Sequence, residues 1–505
     1  MCLGMFMAIL DIQVVVTSLP AIQAALDVDK ELVSWIQTSY LVAEVIAIPL
    51  TGFLTRLLTM RGLFVLALSI FTIASAGCAM SSDFGTLVAW RVVQGFSGGA
   101  LIPLVFSAVF LLFPKKQQGI ATTIAGVLAV LAPTIGPVVG GWITDTFTWP
   151  WLFLINIGPG IAAIIIATFC LRREKPDLSH VKKLDWVALG LLATALASLE
   201  IGLKEAPIRG WSSGLVIGLL VIAMLSALSF IQRTLAATSP IVSLQTMKDR
   251  DFAIGCWLSF VFGIGLFGSV YLMPVFLGFV RDHGAFAIGQ VMLVTGVAQL
   301  MMAPIAVQLE RRIDARLLTA CGFALFALGL AMSCFQTRET DFDDMFWPQV
   351  VRGAAIMLCL LPPTRLALGR LPPEKVADAS GLFNLMRNLG GAIGIALIDT
   401  LMFTRASVHG DGLAARLMEG DIEAGRIIGL PDGMMRGEPI DNVTESMEAA
   451  VRPLIEKASL VTSINEAWAM LATFTILGLI ALPFVSKKAN IRDTQADDQE
   501  LHKAA

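Results

Sequence analysis

The chain has 505 residues, of which 56% are hydrophobic and only 15% are charged. Its mean hydropathy of +0.77 is too high for a water-soluble protein of this length, because so much apolar surface could not all be buried. A net charge of −3 offers no basic surface for nucleic acid, so we expect no nucleic-acid partner. The seven cysteines form no Cys-x-x-Cys pair and are interpreted as packing residues.

Fourteen apolar segments come close to the roughly 20 residues that cross a bilayer. We number them spans 1 to 14, and they lie at about 1–22, 33–55, 62–80, 85–113, 120–143, 151–171, 186–204, 214–235, 252–279, 286–308, 316–335, 347–369, 379–404 and 466–485. They predict an all-α integral membrane protein with 14 transmembrane helices. Span 1 begins at Met1 and contains no cleavage site, so we expect no signal peptide, and a start upstream of Met1 stays open.

Lysine and arginine concentrate in alternate loops. With a cytoplasmic N-terminus, the short inside loops hold 17 basic residues and the short outside loops hold five. Basic loops stay on the cytoplasmic side of the membrane. The sequence therefore predicts that both termini are cytoplasmic and that a long loop at about 405–465 lies outside.

The chain also contains an internal repeat. The segment "PLTGFLTRLLTMRGLFVLALSIF" (49–71) aligns with "PIAVQLERRIDARLLTACGFALF" (304–326) at a constant offset that places Arg56 on Arg311 and Gly136 on Gly391. Parallel repeats of this kind are typical of transporters that carry substrate between the two halves.

The repeat predicts two parallel six-helix bundles with spans 7 and 8 inserted between them, a 6+2+6 arrangement. The predicted domains are an N-terminal bundle, two inserted helices with their cytoplasmic loops, a C-terminal bundle that includes the outside loop, and a cytoplasmic tail. They cover residues 1–171, 172–251, 252–485 and 486–505.

Several motifs carry a family resemblance. They include "LDIQVVVTSLP" in span 1, "RVVQGFSGGALIP" in span 4, "APTIGPVVGGWITD" in span 5 and "LPPEKVADASGLFNLMRNLGGAIG" leading into span 13. The sequence resembles the major facilitator superfamily, in particular its 14-helix drug:proton antiporter family of the EmrB/QacA type. The resemblance implies proton-coupled export by alternating access, driven by the proton motive force without another cofactor.

The span 5 motif marks exporters within that superfamily. Its glycines permit close backbone approach and its prolines loosen the helix, as a gating element requires. The residues that match it are Pro133, Gly136, Pro137, Gly140 and Gly141.

The sequence departs from the family pattern at two places. In the loop between spans 2 and 3, Arg56 takes the position of the family's Asp and Thr59 takes that of its Gly, so the conformational latch motif is degenerate. In span 1, Gln13 and Val16 replace the usual Thr and Asn.

Two carboxylates lie deep in the predicted membrane. Asp11 and Glu44 are each about eleven residues, or roughly 16 Å, from the outer end of their spans. Intramembrane carboxylates usually face a water-filled cavity and serve the movement of protons or substrate. We therefore predict that both take part in proton coupling; the alternative is a structural pair with a neighbouring Arg or hydroxyl group.

The resemblance assigns further residues. Arg91 of span 4 matches an arginine implicated in proton coupling, and a structural role is compatible with that one. Four polar residues are predicted to line the substrate cavity, with a packing role as the alternative for Arg387: Gln13, Gln94, Asn384 and Arg387. Glu200 and Asp399 lie nearer the outer surface. We interpret these two as solvated helix ends, with a late proton or cation site as the alternative.

The sequence gives little support for an enzyme, an ATPase or a metal-binding protein. "GFSGG" (95–99) fits a serine-hydrolase pattern, but all four histidines lie in loops or tails, so Ser97 has no base nearby. No phosphate-binding loop of the G-x-x-x-x-G-K-[ST] type is present, and no metal site is expected. "NVT" (442–444) is a glycosylation acceptor by pattern only.

We therefore predict an exporter of amphiphilic or hydrophobic small molecules that is not an enzyme. A dedicated exporter of one natural product, such as a siderophore, and an uptake carrier are alternatives, and a membrane enzyme or sensor is disfavoured. By resemblance the protein lies in the bacterial inner membrane. Its expected partners are the lipid bilayer, a periplasmic adaptor of the EmrA/HlyD type and an outer-membrane channel, with the loop at 405–465 as a docking surface or a simple connector.

Overall fold

The computed structural model describes all residues except 28–29, 34, 175, 177–184, 238–239, 311, 432–444 and 486–505. Three features of the sequence lie outside the described residues: Arg311 of the internal repeat, the Asn442 acceptor pattern and the predicted cytoplasmic tail. So does most of the loop that joins spans 6 and 7.

The described residues form helices joined by short connections, with no strand among them. The α-helices are α1 Cys2–Thr17, α2 Leu19–Leu26, α3 Lys30–Val33, α4 Trp35–Ala79, α5 Phe84–Leu112, α6 Lys115–Thr146, α7 Trp151–Leu154, α8 Ile157–Cys170, α9 Trp186–Arg209, α10 Gly214–Ala236, α11 Arg250–Phe279, α12 Ala285–Glu310, α13 Ala315–Ala331, α14 Phe342–Leu368, α15 Pro373–Met418, α16 Ile422–Ile428 and α17 Glu445–Gly478. Short 3₁₀ helices follow α10, α13 and α17 at Leu244–Lys248, Met332–Phe335 and Leu479–Phe484.

All of the predicted apolar segments are helical over their described parts. Within the described residues, eleven helices are long and apolar enough to cross a membrane, and the two arms of α6, which meet at a 41° bend after Pro133, form a twelfth. One of the eleven, α4, contains both span 2 and span 3. The two spans meet at a kink at Thr59, whose backbone is not helical (φ 67°, ψ 161°). Span 1 is divided between α1 and α2, and α1 alone has only 16 residues.

The helices pack as two groups that meet along two seams. On one seam α6 packs against α12 and α14, and on the other α4 and α5 pack against α15. Small residues allow these approaches: a Cβ on Gly289 of α12 would meet Val138 of α6 at 1.7 Å. The inserted helices α9 and α10 pack on each other, and α9 also contacts both α4 and α15. The insertion thus lies beside the second seam.

Large apolar side chains cover the outer faces of the helices. Phe169 is 83% exposed, and the outward face of α10 leaves Ile222, Met224 and Leu225 exposed. A helix that is apolar on its outer face suits contact with lipid. Inside the C-terminal group, the aromatic rings of Phe262 and Phe326 pack at 5.6 Å within one continuous apolar core.

The segment predicted as a long outside loop is largely helical where it is described. Helix α15 continues to Met418, α16 follows, and α17 is helical from Glu445. A small apolar core that includes Leu413, Ile428 and Ala458 holds these helices together. We call residues 405–431 and 445–465 the outer lobe.

Candidate functional site

Asp11 of α1 forms an ion pair with Arg91 of α5 in the interior of the N-terminal bundle. The Arg91 Nη1 donates to Asp11 Oδ2 at 2.5 Å, and neither side chain is exposed. The pair joins residues 80 positions apart in sequence. Breaking a buried pair by removing one partner is costly, because the other charge is left without compensation.

Two amides complete the shell of the Asp11 carboxylate. The Nε2 of Gln94 and the Nδ2 of Asn156 both donate to Asp11 Oδ1, at 3.0 and 2.7 Å. Gln94 also donates to the hydroxyl of Ser75 at 2.9 Å, and its Oε1 accepts from Arg91 at 2.7 Å. Gln94, predicted to line the substrate cavity, is therefore fully buried and committed to Asp11.

Arg91 is held by aromatic rings as well as by charge. Its guanidinium lies 4.3 Å from the ring centre of Tyr40 and 5.7 Å from that of Phe153, and its Nε donates to the carbonyl of Ile36 at 3.1 Å. The Nη2 of Arg91 finds no hydrogen-bond partner among the described residues. The guanidinium therefore keeps one free donor beside the carboxylate.

Glu44 of α4 is buried, and no hydrogen bond or ion pair reaches it from the described residues. Glu200 of α9 lies nearby, since the two charges interact. Lys204 fixes the register of these antiparallel helices by donating to Thr38 at 2.5 Å. From that contact Glu200 lies about 6 Å and Glu44 about 9 Å further inward, at 1.5 Å per residue. Glu200 is half-buried on a helix that packs against α4, whereas from the sequence we interpret it as a solvated helix end.

The span 5 motif brings α6 against α1. All five motif residues are buried, and a Cβ on Gly136 would lie 2.4 Å from the Cβ of Gln13. The hydroxyl of Ser18 contacts the hydroxyl of Thr144 at 2.6 Å. Gln13 thus packs on the motif two residues after Asp11.

In the C-terminal bundle, Arg387 of α15 faces the second seam. It donates to the Oδ1 of Asn384, and its guanidinium lies 5.6 Å from the ring centre of Phe106 in α5. The hydroxyl of Ser380 donates to the carbonyl of Pro103 across the same seam at 2.8 Å. Asn384 is fully buried. Asp399 lies apart from this group and accepts a hydrogen bond from Tyr271 at 2.6 Å.

The degenerate latch motif forms an ion pair of its own. Arg56 Nη1 lies 2.6 Å from Oδ1 of Asp378, at the start of α15. Gly52 makes this possible, because a Cβ there would lie 1.8 Å from the same oxygen. The basic group stands on the N-terminal side of the seam, and the acidic group is supplied by the C-terminal bundle.

Sequence reasoning did not select four residues of these sites: Ser75, Asn156, Asp378 and Tyr40. Asn156 stands in "LINIGPG", where an amide inside an apolar run was the available signal. Asp378 stands in "EKVADAS" at the start of span 13, where it reads as an ordinary solvated acid. No group of three or more metal-ligating side chains occurs within the described residues. The arrangement as a whole can exchange a proton and change its inter-helix contacts.

Comparison with known proteins gives matches over most of the chain. Residues 1–395 match the sequence model of the Major Facilitator Superfamily. The chain is 38% identical over 411 residues to the colistin resistance protein EmrB of Acinetobacter baumannii, covering 81% of this chain and 80% of that protein. It is 33% identical over 414 residues to the multidrug export protein EmrB of Escherichia coli K12, with coverage of 81% and 80%.

The fold is similar to a solved structure as well. The crystal structure of the human organic anion transporter TETRAN superposes with a TM-score of 0.57 at 15% identity, covering 95% of this chain and 97% of that one.

Proposed function

We propose that this chain, which belongs to the major facilitator superfamily and within it to the EmrB group of exporters, carries amphiphilic or hydrophobic compounds outward in exchange for protons. The predicted fold class, an all-α membrane protein of the major facilitator type, is confirmed by these comparisons and by the apolar helices. The count of fourteen spans stays a prediction. Members of this family transport solutes, and no residue is assigned a catalytic role.

The buried Asp11–Arg91 pair is the observation that supports proton coupling. A proton that binds to Asp11 removes the negative charge that neutralises Arg91, and the guanidinium then needs another acceptor. Because a buried charge without a partner is costly, protonation favours a different arrangement of α1 and α5. A proton can thereby select a conformation.

The packing of α1 on α6 links that event to the substrate path. Gln13 follows Asp11 by two residues and contacts Gly136, and α6 in turn packs on α12 of the other bundle. A shift of α1 therefore changes the seam between the bundles. Substrate passes between the bundles as they rock in alternating access, and Arg387 lies at the second seam, where α15 meets α5.

Glu44 and Glu200 act as a second proton site in this proposal. The two carboxylates share one region between α4 and α9, and like charges brought together favour binding of a proton or a cation. The inserted helices then contribute directly to coupling, because Glu200 belongs to α9.

The protein is a multi-pass membrane protein, and we place it in the bacterial inner membrane with both termini in the cytoplasm. The excess of basic residues in alternate loops supports this orientation. The outer lobe then projects from the outer face, where a periplasmic adaptor of the EmrA/HlyD type can dock and connect to an outer-membrane channel. Its packed helices support a docking surface over a simple connector.

Proton movement driven by substrate in proteoliposomes tests the proposal. The probes are ethidium, an amphiphilic cation, and laurate, an amphiphilic carboxylate, each added to vesicles with a trapped pH dye. Wild-type protein should couple at least one probe to proton flux, and Asp11→Asn should abolish that flux. Asp83→Asn is the matched control, because Asp83 is an exposed N-cap and Asn caps helices equally well.

Two outcomes would contradict the proposal. Full antiport by Asp11→Asn would remove Asp11 as the coupling site. No proton flux with either probe in the wild type would count against a multidrug exporter and would favour a dedicated exporter of one natural product.

A further inference from the structure

Arg352 of α14 is a buried cation that the proposed coupling scheme does not use. It is only 3% exposed, and its guanidinium lies 5.1 Å from the ring centre of Trp468 in α17. Its Nη2 donates to the Oε1 of Gln349 at 3.1 Å, whereas its Nη1 has no hydrogen-bond partner in the part of the chain that the structure describes. One donor of a buried charge is therefore unused.

Arg352 and Arg91 differ in the groups that surround their charge. Both arginines are buried in the middle of a bundle beside an aromatic ring and a glutamine amide, but Arg91 also contacts the Asp11 carboxylate. Over the part of the chain that the structure describes, no carboxylate contacts Arg352. A buried charge requires a counter-charge, because hydrogen bonds to neutral groups compensate only part of the lost hydration.

Gln349 is held so that its Oε1 faces Arg352. Gln349 donates its Nε2 to the carbonyl of Val291 at 2.6 Å, and its Oε1 accepts from Thr295 at 2.5 Å. The amide can therefore neither turn away nor supply a charge. It orients the guanidinium and leaves the Nη1 for another acceptor.

The acceptor has a place to bind. A cavity of about 20 Å³ lies beside Arg352 and Gln349, and its other walls include Ser269, Met273, Met292 and Thr295. A space of roughly 10–15 Å³ is enough for one water-sized group. The cavity therefore accommodates one small ion or the head of a larger molecule.

The cavity lies close to the first seam between the bundles. Gln299, one helical turn beyond Thr295 on α12, donates to the carbonyl of Gly126 in α6 at 3.3 Å. Gly353, the neighbour of Arg352, packs on the carbonyl of Thr295. A molecule that moves along this seam passes within about one turn of the Arg352 guanidinium.

We propose that Arg352 and this cavity bind a small monovalent anion, which is either free chloride or the carboxylate head of an exported compound. The Nη1 supplies the vacant donor and the guanidinium supplies the charge. Thr295 and Ser269 only line the wall, because their hydroxyl protons are donated to Gln349 and to the carbonyl of Leu266. The carboxylate source rests on the proposed export function, whereas anion binding in itself does not.

Trp468 provides a direct readout in the full-length protein. Its ring is fully buried, so iodide in bulk solvent does not reach it, whereas iodide bound at Arg352 would quench its fluorescence. Tryptophan fluorescence is titrated with iodide in wild type and in Trp468→Phe, and the difference between the two curves gives the quenching of Trp468. Both proteins are in dodecyl maltoside, and gluconate keeps the ionic strength constant. We expect a saturable component that disappears in Arg352→Met and persists in Arg312→Met, which removes an exposed arginine.

Competition then identifies the source of the anion. Displacement of iodide by chloride but not by laurate assigns a free-ion site, and displacement by laurate but not by lauryl alcohol assigns a site for a substrate carboxylate. Linear quenching that neither competitor changes would overturn the proposal. This last result can be read from the wild type alone, even where Arg352→Met fails to fold, and it is independent of transport because no proton gradient is present.

Discussion

Arg56 and Asp378 lie 322 positions apart in sequence, yet an ion pair of 2.6 Å joins them across the seam between the two bundles. Asp378 is almost fully buried, and Arg56 also donates to the carbonyl of Ile241 at 3.5 Å. The family's motif carries the acidic group on the N-terminal side. Here the polarity is reversed, because the basic group stands at that position and the acidic group is provided by α15.

Reversing the charge of one partner should therefore weaken the seam, and reversing both should restore it. We expect Arg56→Glu and Asp378→Arg each to reduce transport severalfold, and the double variant to recover most of it. The coupling free energy from a double-mutant cycle on thermal unfolding should be about 0.5–3 kcal/mol. Arg61→Glu is the matched control, because Arg61 has no ion pair within the described residues. Additive effects of the two reversals would show that the pair does not hold the seam.

Gly136 should not tolerate a side chain. A Cβ there would lie 2.4 Å from the Cβ of Gln13, so Gly136→Ala must push α1 away from α6. Overpacking of this kind costs about 1–3 kcal/mol, and we expect lower thermal stability together with a loss of antiport. Gly158→Ala serves as the control, because no described residue lies within 4 Å of a Cβ at Gly158. Equal behaviour of the two variants would disprove the role of close packing between α1 and α6.

A second substitution at Gln13 should restore the stability that Gly136→Ala loses. Gln13→Gly removes the opposing Cβ, so the double variant with Gly136→Ala should regain stability. Gln13→Ala keeps that Cβ and should not rescue.

Replacing Thr59 by glycine, the residue that the family carries at this position, should raise the stability of the protein. Its φ of 67° with ψ of 161° is a conformation that essentially only glycine adopts, and such strain costs about 1–3 kcal/mol. Thr59→Gly should therefore raise the melting temperature in detergent, less the greater chain entropy of glycine. Thr55→Gly, in regular helix four residues earlier, should lower it by the equivalent of about 0.3–0.5 kcal/mol, because glycine is the poorer helix former. A decrease at both positions would contradict strain at Thr59.

Asp341, the N-cap of α14, should make the stability of the C-terminal bundle depend on pH. Burial raises the pKa of this N-cap carboxylate, but hydrogen bonds from Arg281, His283 and the Phe342 amide outweigh burial and hold the pKa at about 2, below its usual 3.8. Because the folded-state pKa is the lower one, the contribution is present above pH 4 and is lost as the pH falls from about 4 to about 2.

The measurement is thermal unfolding of wild type and Asp341→Asn between pH 2 and pH 7. The variant should be less stable at pH 7, and the difference should shrink below pH 4. A difference that stays constant over the whole range would show that the ion pair with Arg281 does not stabilise the folded state.

The sequence defined the apolar segments, their order and the family, because crossing a bilayer requires about 20 apolar residues whatever their partners are. It also singled out Asp11 and Glu44, since a carboxylate in such a segment stands out against its neighbours. The glycines of the span 5 motif could be identified for the same reason, because spacing along one helix is a local property.

Which side chains meet was decided by the tertiary structure alone. Asn156 reaches Asp11 from 145 positions away, and Asp378 replaces an acid that the loop motif lacks. Gln94, expected in the substrate cavity, is buried on Asp11, and the unpaired donor of Arg352 gave no signal in the sequence. Helix length and polarity are fixed by local residues, but the rotation and crossing of each helix follow from packing against distant ones. Contacts between helices therefore exist only once the whole bundle is assembled.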